Sequence, residues 1–205
     1  MEKLKWRRFK NFAKLVSKII ISMQFYKVKI NNVENIPVSG PVIVCANHKG
    51  ILDMFFIGCW IDRWIHYMAK EELYKIPILN WILKLLGTFP VKRGKGDVHA
   101  VKTGLALLEQ GYMLGIFPEG TRVKSKNRKD TKIRPGSALF AIKSGAPILP
   151  VAVEGCYKPG SKINVTYGKP FKLDIDKNKK YTIKDMTEIT RGIMDKVYSL
   201  MEGKD

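Results

Sequence analysis

An α/β fold, with a mostly parallel or mixed sheet covered by helices on both faces, follows from two features of this chain. Short apolar runs alternate with stretches of helical period, and several of those runs are continuously apolar, as buried strands are. The length of 205 residues suits one domain, which at this size buries roughly 70% of the surface its unfolded chain exposes.

The chain opens with MEKLKWRRFKNFAKLVSKIIISMQFYK, residues 1–27. Phe9, Phe12, Ala13, Val16, Ile19, Ile20 and Met23 recur at helical spacing, and Arg7, Lys10, Asn11, Lys14, Lys18 and Ser22 fall opposite them. The spacing predicts a basic amphipathic helix that lies in a membrane interface, with Trp6 near its start. A surface helix packed on its own domain gives the same pattern. The uncharged run Ile19–Tyr26 is far shorter than the ~20 residues a spanning helix needs. No small-residue cleavage site follows it, so a signal peptide is not expected. Residues 1–30 are therefore assigned to membrane association and 31–205 to the α/β domain.

The remaining elements follow in order. GPVIVCAN (40–47) reads as a buried strand after a Pro/Gly turn, and ILDMFFIGCWI (51–61) as a helix. IHYMAK (65–70) is a strand, 71–86 is mostly helical, and TFPVKR (88–93) is a strand. Within this region IPILNWILKLLGTF (76–89) holds only Lys84; it is either core or a second interfacial helix. Residues 96–111 form a helix with Asp97 as N-cap. YMLGIFPE (112–119) is a strand, and Pro135 to Gly145 a helix ending at its glycine. Strands are expected over 146–155 and 162–171. The final helix starts at a capping box, Thr182 and Asp185, with Ile183, Met186, Ile189, Ile193, Val197 and Leu200 as its apolar stripe.

Charge narrows the functional classes. Lys plus Arg is 37 against 18 acids, a net charge of +19, which draws the chain to polyanions. Residues 1–30 alone hold nine Lys or Arg against Glu2. Nucleic acid is one such polyanion, but there is no zinc-finger spacing, helix-turn-helix pattern or aromatic RNA-binding strand. Cys45, Cys59 and Cys156 lie in apolar runs, and an odd count fits a reducing compartment better than a disulfide scaffold. No metal site is expected.

Two loops carry residues suited to chemistry. In NHKGILD (47–53), His48 leaves a strand and Asp53 sits on the following turn. A bent loop lets the carboxylate reach one imidazole nitrogen, fix the tautomer and leave the other nitrogen as a general base. No Ser or Cys stands nearby as a nucleophile, so the base would act on a hydroxyl of the substrate. In FPEGTR (117–122), Arg122 offers a fork of donors suited to a phosphate. Gly120 lets the backbone approach closely, and Glu119 is placed to hold Arg122 or to contact a substrate hydroxyl. The loop RVKSKNRKDTKIR (122–134) holds seven cations and one acid. It is either a solvated loop or a contact for CoA phosphates, an acidic carrier protein or anionic lipid.

Together, His48 with Asp53 five residues on and the later FPEGTR resemble the glycerolipid acyltransferase family. GTFPVKRG (87–94) and PILPVAVEG (147–155) resemble two further blocks of that family, and all four occur in its order across roughly residues 30–160. The resemblance implies its type activity, acylation of 1-acyl-sn-glycerol-3-phosphate (lysophosphatidic acid). His48 and Asp53 would be the catalytic pair, with no acyl-enzyme. The substrate-binding set would be Glu119, Gly120, Thr121 and Arg122, with Lys92 and Arg93 as helpers on the phosphate. The donor would be acyl-CoA or acyl-carrier protein, with no resident cofactor, and the setting the cytoplasmic face of the cell membrane, against anionic lipid. Many members carry Ser where this chain has Gly50. The alternatives are another lysophospholipid or an aminolipid as acceptor and, in a different class, a non-catalytic nucleic-acid-binding protein.

Overall fold

The computed structural model describes residues 26–92, 96–122, 131–176 and 178–201. The helix expected within 1–27 lies outside them but for its last two residues, as do Arg93 and most of the 122–134 loop.

Among the described residues seven strands form one sheet: β1 Lys27–Asn31, β2 Val42–Ala46, β3 Ile65–Lys70, β4 Phe89–Val91, β5 Met113–Ile116, β6 Ile148–Gly155 and β7 Lys162–Tyr167. Their spatial order is β1-β7-β6-β2-β5-β3-β4. Every neighbouring pair is parallel except β6 and β7, so the sheet is mixed but mostly parallel, as expected. Five α-helices accompany it among the described residues: α1 Asp53–Gly58, α2 Pro77–Leu85, α3 Val98–Glu109, α4 Gly136–Ser144 and α5 Ile183–Tyr198.

Side-chain alternation along the strands builds a core on each face. Val42, Val44, Ala46, Val151 and Val153 pack on one side with Phe56 and Ile57 of α1. Ile43, Cys45, Leu114, Ile148 and Ala152 pack on the other with Leu108, Phe140, Ile193 and Val197 from α3, α4 and α5. The central strand β2 is buried at every residue, which is why its sequence reads as an unbroken apolar run.

The caps form as read. Asp97 accepts from Ala100 N–H at the start of α3, Thr182 and Asp185 complete the capping box of α5, and Gly145 ends α4 with φ 64°. Several elements differ from expectation. Residues 71–86 divide into a 3₁₀ turn, Glu71–Lys75, and α2, because Pro77 has no N–H to continue the first and suits the opening of the second. Helix α1 has only six residues, because the chain closes on either side of it with i→i+3 turn bonds, Asp53 N–H to Gly50 O at 3.2 Å and Ile61 N–H to Gly58 O at 3.4 Å. Strand β7 stops at Tyr167, ahead of Gly168 and Pro170. Strand β1 straddles the boundary set at residue 30: Lys27, Val28, Lys29 and Ile30 alternate along an edge strand paired with β7.

Candidate active site

Strands β2, β3, β4, β5 and β6 run the same way, so the loops that follow them gather at one edge of the sheet. His48, the 119–122 block and Lys92 all follow strand ends there. Open α/β sheets bind ligands at this edge.

The β2 loop is pinned first by Asn47. Its amide, buried, donates to Val153 O at 2.9 Å and accepts from Val153 N–H at 2.8 Å, tying the end of β2 to β6. The backbone then bends so that His48 Nδ1 lies 2.7 Å from Asp53 Oδ2. The Asp53 side chain is fully buried, and the His48 ring keeps 15% of its surface exposed. Asp53 Oδ2 also accepts the N–H groups of Lys49 at 2.7 Å and Gly50 at 2.9 Å, and Oδ1 accepts the Tyr157 hydroxyl. A buried carboxylate with this set of donors is compensated in place. With Nδ1 facing an acceptor, the imidazole proton resides on Nδ1 and the Nε2 lone pair is free for chemistry.

Rings fix the imidazole from one side. Phe117 stacks on His48 with centroids 4.3 Å apart and planes at 20°, and Tyr67 stacks behind Phe117 at 5.6 Å. Phe117 begins the FPEGTR block, so the two motifs meet through a ring pair. They meet a second time through Glu119. Its Oε2 accepts His48 N–H at 2.6 Å and its Oε1 accepts the Tyr198 hydroxyl at 2.7 Å. Burial pushes the Glu119 carboxyl above its usual range, against the downward pull of those two hydrogen bonds. The buried carboxylate braces the β2 loop, with both oxygens accepting from these groups.

Gly120 turns the chain with φ 66°, its N–H bonded to Phe117 O at 2.9 Å. A Cβ there would sit 2.9 Å from Arg134 Nε, so Arg134, exposed, returns against the FPEGTR turn. Its N–H bonds Pro118 O at 2.8 Å. Thr121 and Arg122 are exposed beyond the turn. Lys92 is exposed at the end of β4, with Nζ 3.7 Å from Glu71 and its N–H on Asp97 Oδ2.

Sequence reasoning missed Tyr157, Tyr198 and Tyr67. Tyr157 is 104 residues from its partner Asp53, and no local pattern marks it. Its ring fills the space of a side chain at residue 50: a Cβ on Gly50 would lie 2.5 Å from Tyr157 Cε2. Burial, then the Asp53 charge, holds the phenol far above its usual range, so it remains a donor. Beside these groups lies a small apolar cavity of about 50 Å³, open to solvent, lined by Met54, Phe55, Cys59, Trp64, Tyr67 and Leu86 among others.

The Acyltransferase family matches residues 27–154. The chain is 33% identical over 160 residues to the 1-acyl-sn-glycerol-3-phosphate acyltransferase of Bacillus subtilis, covering 75% of this chain and 77% of that one. It is 32% identical to the chloroplastic 1-acyl-sn-glycerol-3-phosphate acyltransferase of Arabidopsis thaliana, over 74% of this chain and 43% of that protein. Its fold matches the crystal structure of the 1-acyl-sn-glycerophosphate acyltransferase of Thermotoga maritima with a TM-score of 0.65 and 24% identity, covering 97% of this chain and 81% of that one.

Proposed function

Because the chain belongs to the Acyltransferase family, we propose that it carries a fatty acyl group from acyl-CoA or acyl-carrier protein to the 2-hydroxyl of 1-acyl-sn-glycerol-3-phosphate. The products are phosphatidic acid and the free donor thiol. The observation that carries this reading is the 2.7 Å contact of His48 with a buried Asp53, on the sheet edge that also bears Arg122.

The chemistry balances without an acyl-enzyme. His48 Nε2 takes the proton of the acceptor hydroxyl as its oxygen attacks the thioester carbonyl. Asp53 stabilises the imidazolium that forms. The tetrahedral intermediate collapses with loss of the thiolate, which takes the proton back from His48. Tyr157 and the Lys49 and Gly50 N–H groups hold Asp53, while Glu119 and Phe117 hold His48. The acceptor phosphate meets Arg122, with Arg134 and Lys92 as further cations on that edge, Gly120 and Thr121 lining the turn, and Arg93, outside the described residues, as the remaining expected helper. A monoester phosphate carries about −1.5 to −2 charges, which suits two or more cations. The cavity beside Met54 and Tyr67 takes an acyl chain. The enzyme works at the cytoplasmic face of a membrane, where each Lys or Arg near an anionic leaflet contributes about 1 kcal/mol. No described helix is long and apolar enough to cross that membrane.

Purified protein given lysophosphatidic acid and either donor is expected to form phosphatidic acid. His48→Ala is expected to lower kcat by about 10²–10⁴-fold, the range of general-base catalysis. Arg122→Ala is expected to weaken phosphate-bearing acceptors more than neutral ones. Ordinary turnover by His48→Ala would falsify the mechanism, and a preference for acceptors without phosphate would move the substrate to another lipid.

A further inference from the structure

We propose that the outward face of α2 is a membrane-docking surface that seats among the headgroups of an anionic bilayer beside the active edge. Ile76, Ile78, Trp81 and Ile82 are 53%, 75%, 66% and 39% exposed. Ile78, Trp81 and Ile82 stand at i, i+3 and i+4, so they share one face of the helix. Leu83 is buried on the other side. The helix is therefore apolar inward and outward, and the outward face gains by leaving water.

Three features point to a lipid surface. A tryptophan among isoleucines is the composition of an interfacial face, with the indole seated at headgroup level. Exposed Lys75 and Lys84 flank the patch and complement anionic lipid. At nine residues α2 is about 14 Å long, too short to span and long enough to lie in the interface. A second copy is a poorer fit, because one short helix face falls well below the ~800 Å² per partner of a stable interface.

Placement adds a function. The 3₁₀ turn leading into α2 continues from β3 at the active edge, where Glu71 meets Lys92. The residues just after α2, Leu86 and Thr88, line the apolar cavity. A bilayer against α2 would therefore be joined through its two ends to the active edge and to the cavity lining, which suits the delivery of a lipid acceptor. This last step rests on the lipid-acceptor reading; the docking itself is measured separately.

The full chain is mixed with phosphatidylcholine vesicles with and without phosphatidylglycerol. Ile78→Ser/Trp81→Ser/Ile82→Ser is expected to lose about tenfold or more of its affinity for the anionic vesicles. Its circular dichroism and its acyl transfer to detergent-dispersed lysophosphatidic acid are expected to stay as in the parent chain. Unchanged vesicle affinity overturns the proposal. Should the triple variant fail to fold, a label replaces it. Cys45 and Cys59 are buried and Cys156 exposed, so Trp81→Cys in a Cys156→Ser chain accepts a polarity-sensitive fluorophore at one site. Its emission is expected to shift to the blue, and to resist an aqueous quencher, only once vesicles are added. A label already shielded without vesicles overturns the proposal, because residues 1–25 or a second copy then cover the face. A label still quenched on vesicle-bound protein overturns it as well. Vesicle binding without acyl transfer by the parent chain would sink the proposed reaction and leave the docking face standing.

Discussion

Glu119 joins the β2 loop to α5, accepting from His48 N–H with one oxygen and from the Tyr198 hydroxyl with the other. Its charge is a liability in that place, because burial raises its carboxyl above the ordinary 4.5. The folded state therefore holds the proton more tightly than the unfolded chain does. This contribution to stability is full below the unfolded value and is lost as pH rises through the folded one. Glu119→Gln keeps an acceptor and removes the titration. Thermal unfolding followed from pH 4 to pH 8 is expected to show the melting temperature of the parent minus that of the variant falling steadily as pH rises. A difference that is flat, or that grows with pH, contradicts the assignment. The same residue marks the limit of sequence reasoning at this scale. His48 and Asp53 were legible because five residues separate them on one turn. Glu119 stood out within FPEGTR, but its hydrogen-bond partners did not, since they lie 71 and 79 residues away.

Among the elements, β2 is where the site is aimed. Its five buried residues lock it between β5 and β6, and Asn47 then fastens its last turn to Val153. Asn47→Ala leaves a buried N–H and a buried carbonyl without partners and is expected to lower unfolding free energy by about 2–4 kcal/mol. Denaturant midpoints measure this, and a loss under about 1 kcal/mol shows that water or another group replaces the amide. Elements that depend on their own residues were readable: α3 from Asp97, α4 from Gly145, α5 from its capping box. Elements that depend on distant partners were not. The stretch KVKIN becomes β1 through pairing with β7, whose residues come some 135 positions later. Its alternation of lysine with Val28 and Ile30 was present but merged with the basic arm. Helix α1 was overestimated because apolar spacing does not separate a helix from the i→i+3 turns that flank it, here closed by Asp53 N–H on Gly50 O and Ile61 N–H on Gly58 O.

For the whole molecule, a net charge of +19 and an exposed apolar helix face would act on the proposed anionic membrane in different ways. Charge acts at range and is screened, with a Debye length of about 10 Å at 0.1 M salt and about 3 Å at 1 M. Apolar contact acts only when the surfaces touch and is not weakened by salt in that way. Encounter with an anionic membrane should therefore be governed by charge, and retention by α2. Acyl transfer to lysophosphatidic acid carried in phosphatidylglycerol-containing vesicles is expected to show an apparent KM that rises severalfold between 0.1 M and 1 M salt, with kcat nearly constant. In phosphatidylcholine vesicles the rise should be smaller, because only the acceptor phosphate and the cations around Arg122 are then screened. Equal salt dependence in the two vesicles would assign the basic surface to the substrate alone. A falling kcat would mean that salt reaches the His48 edge itself, which the burial of Asp53 and Glu119 argues against.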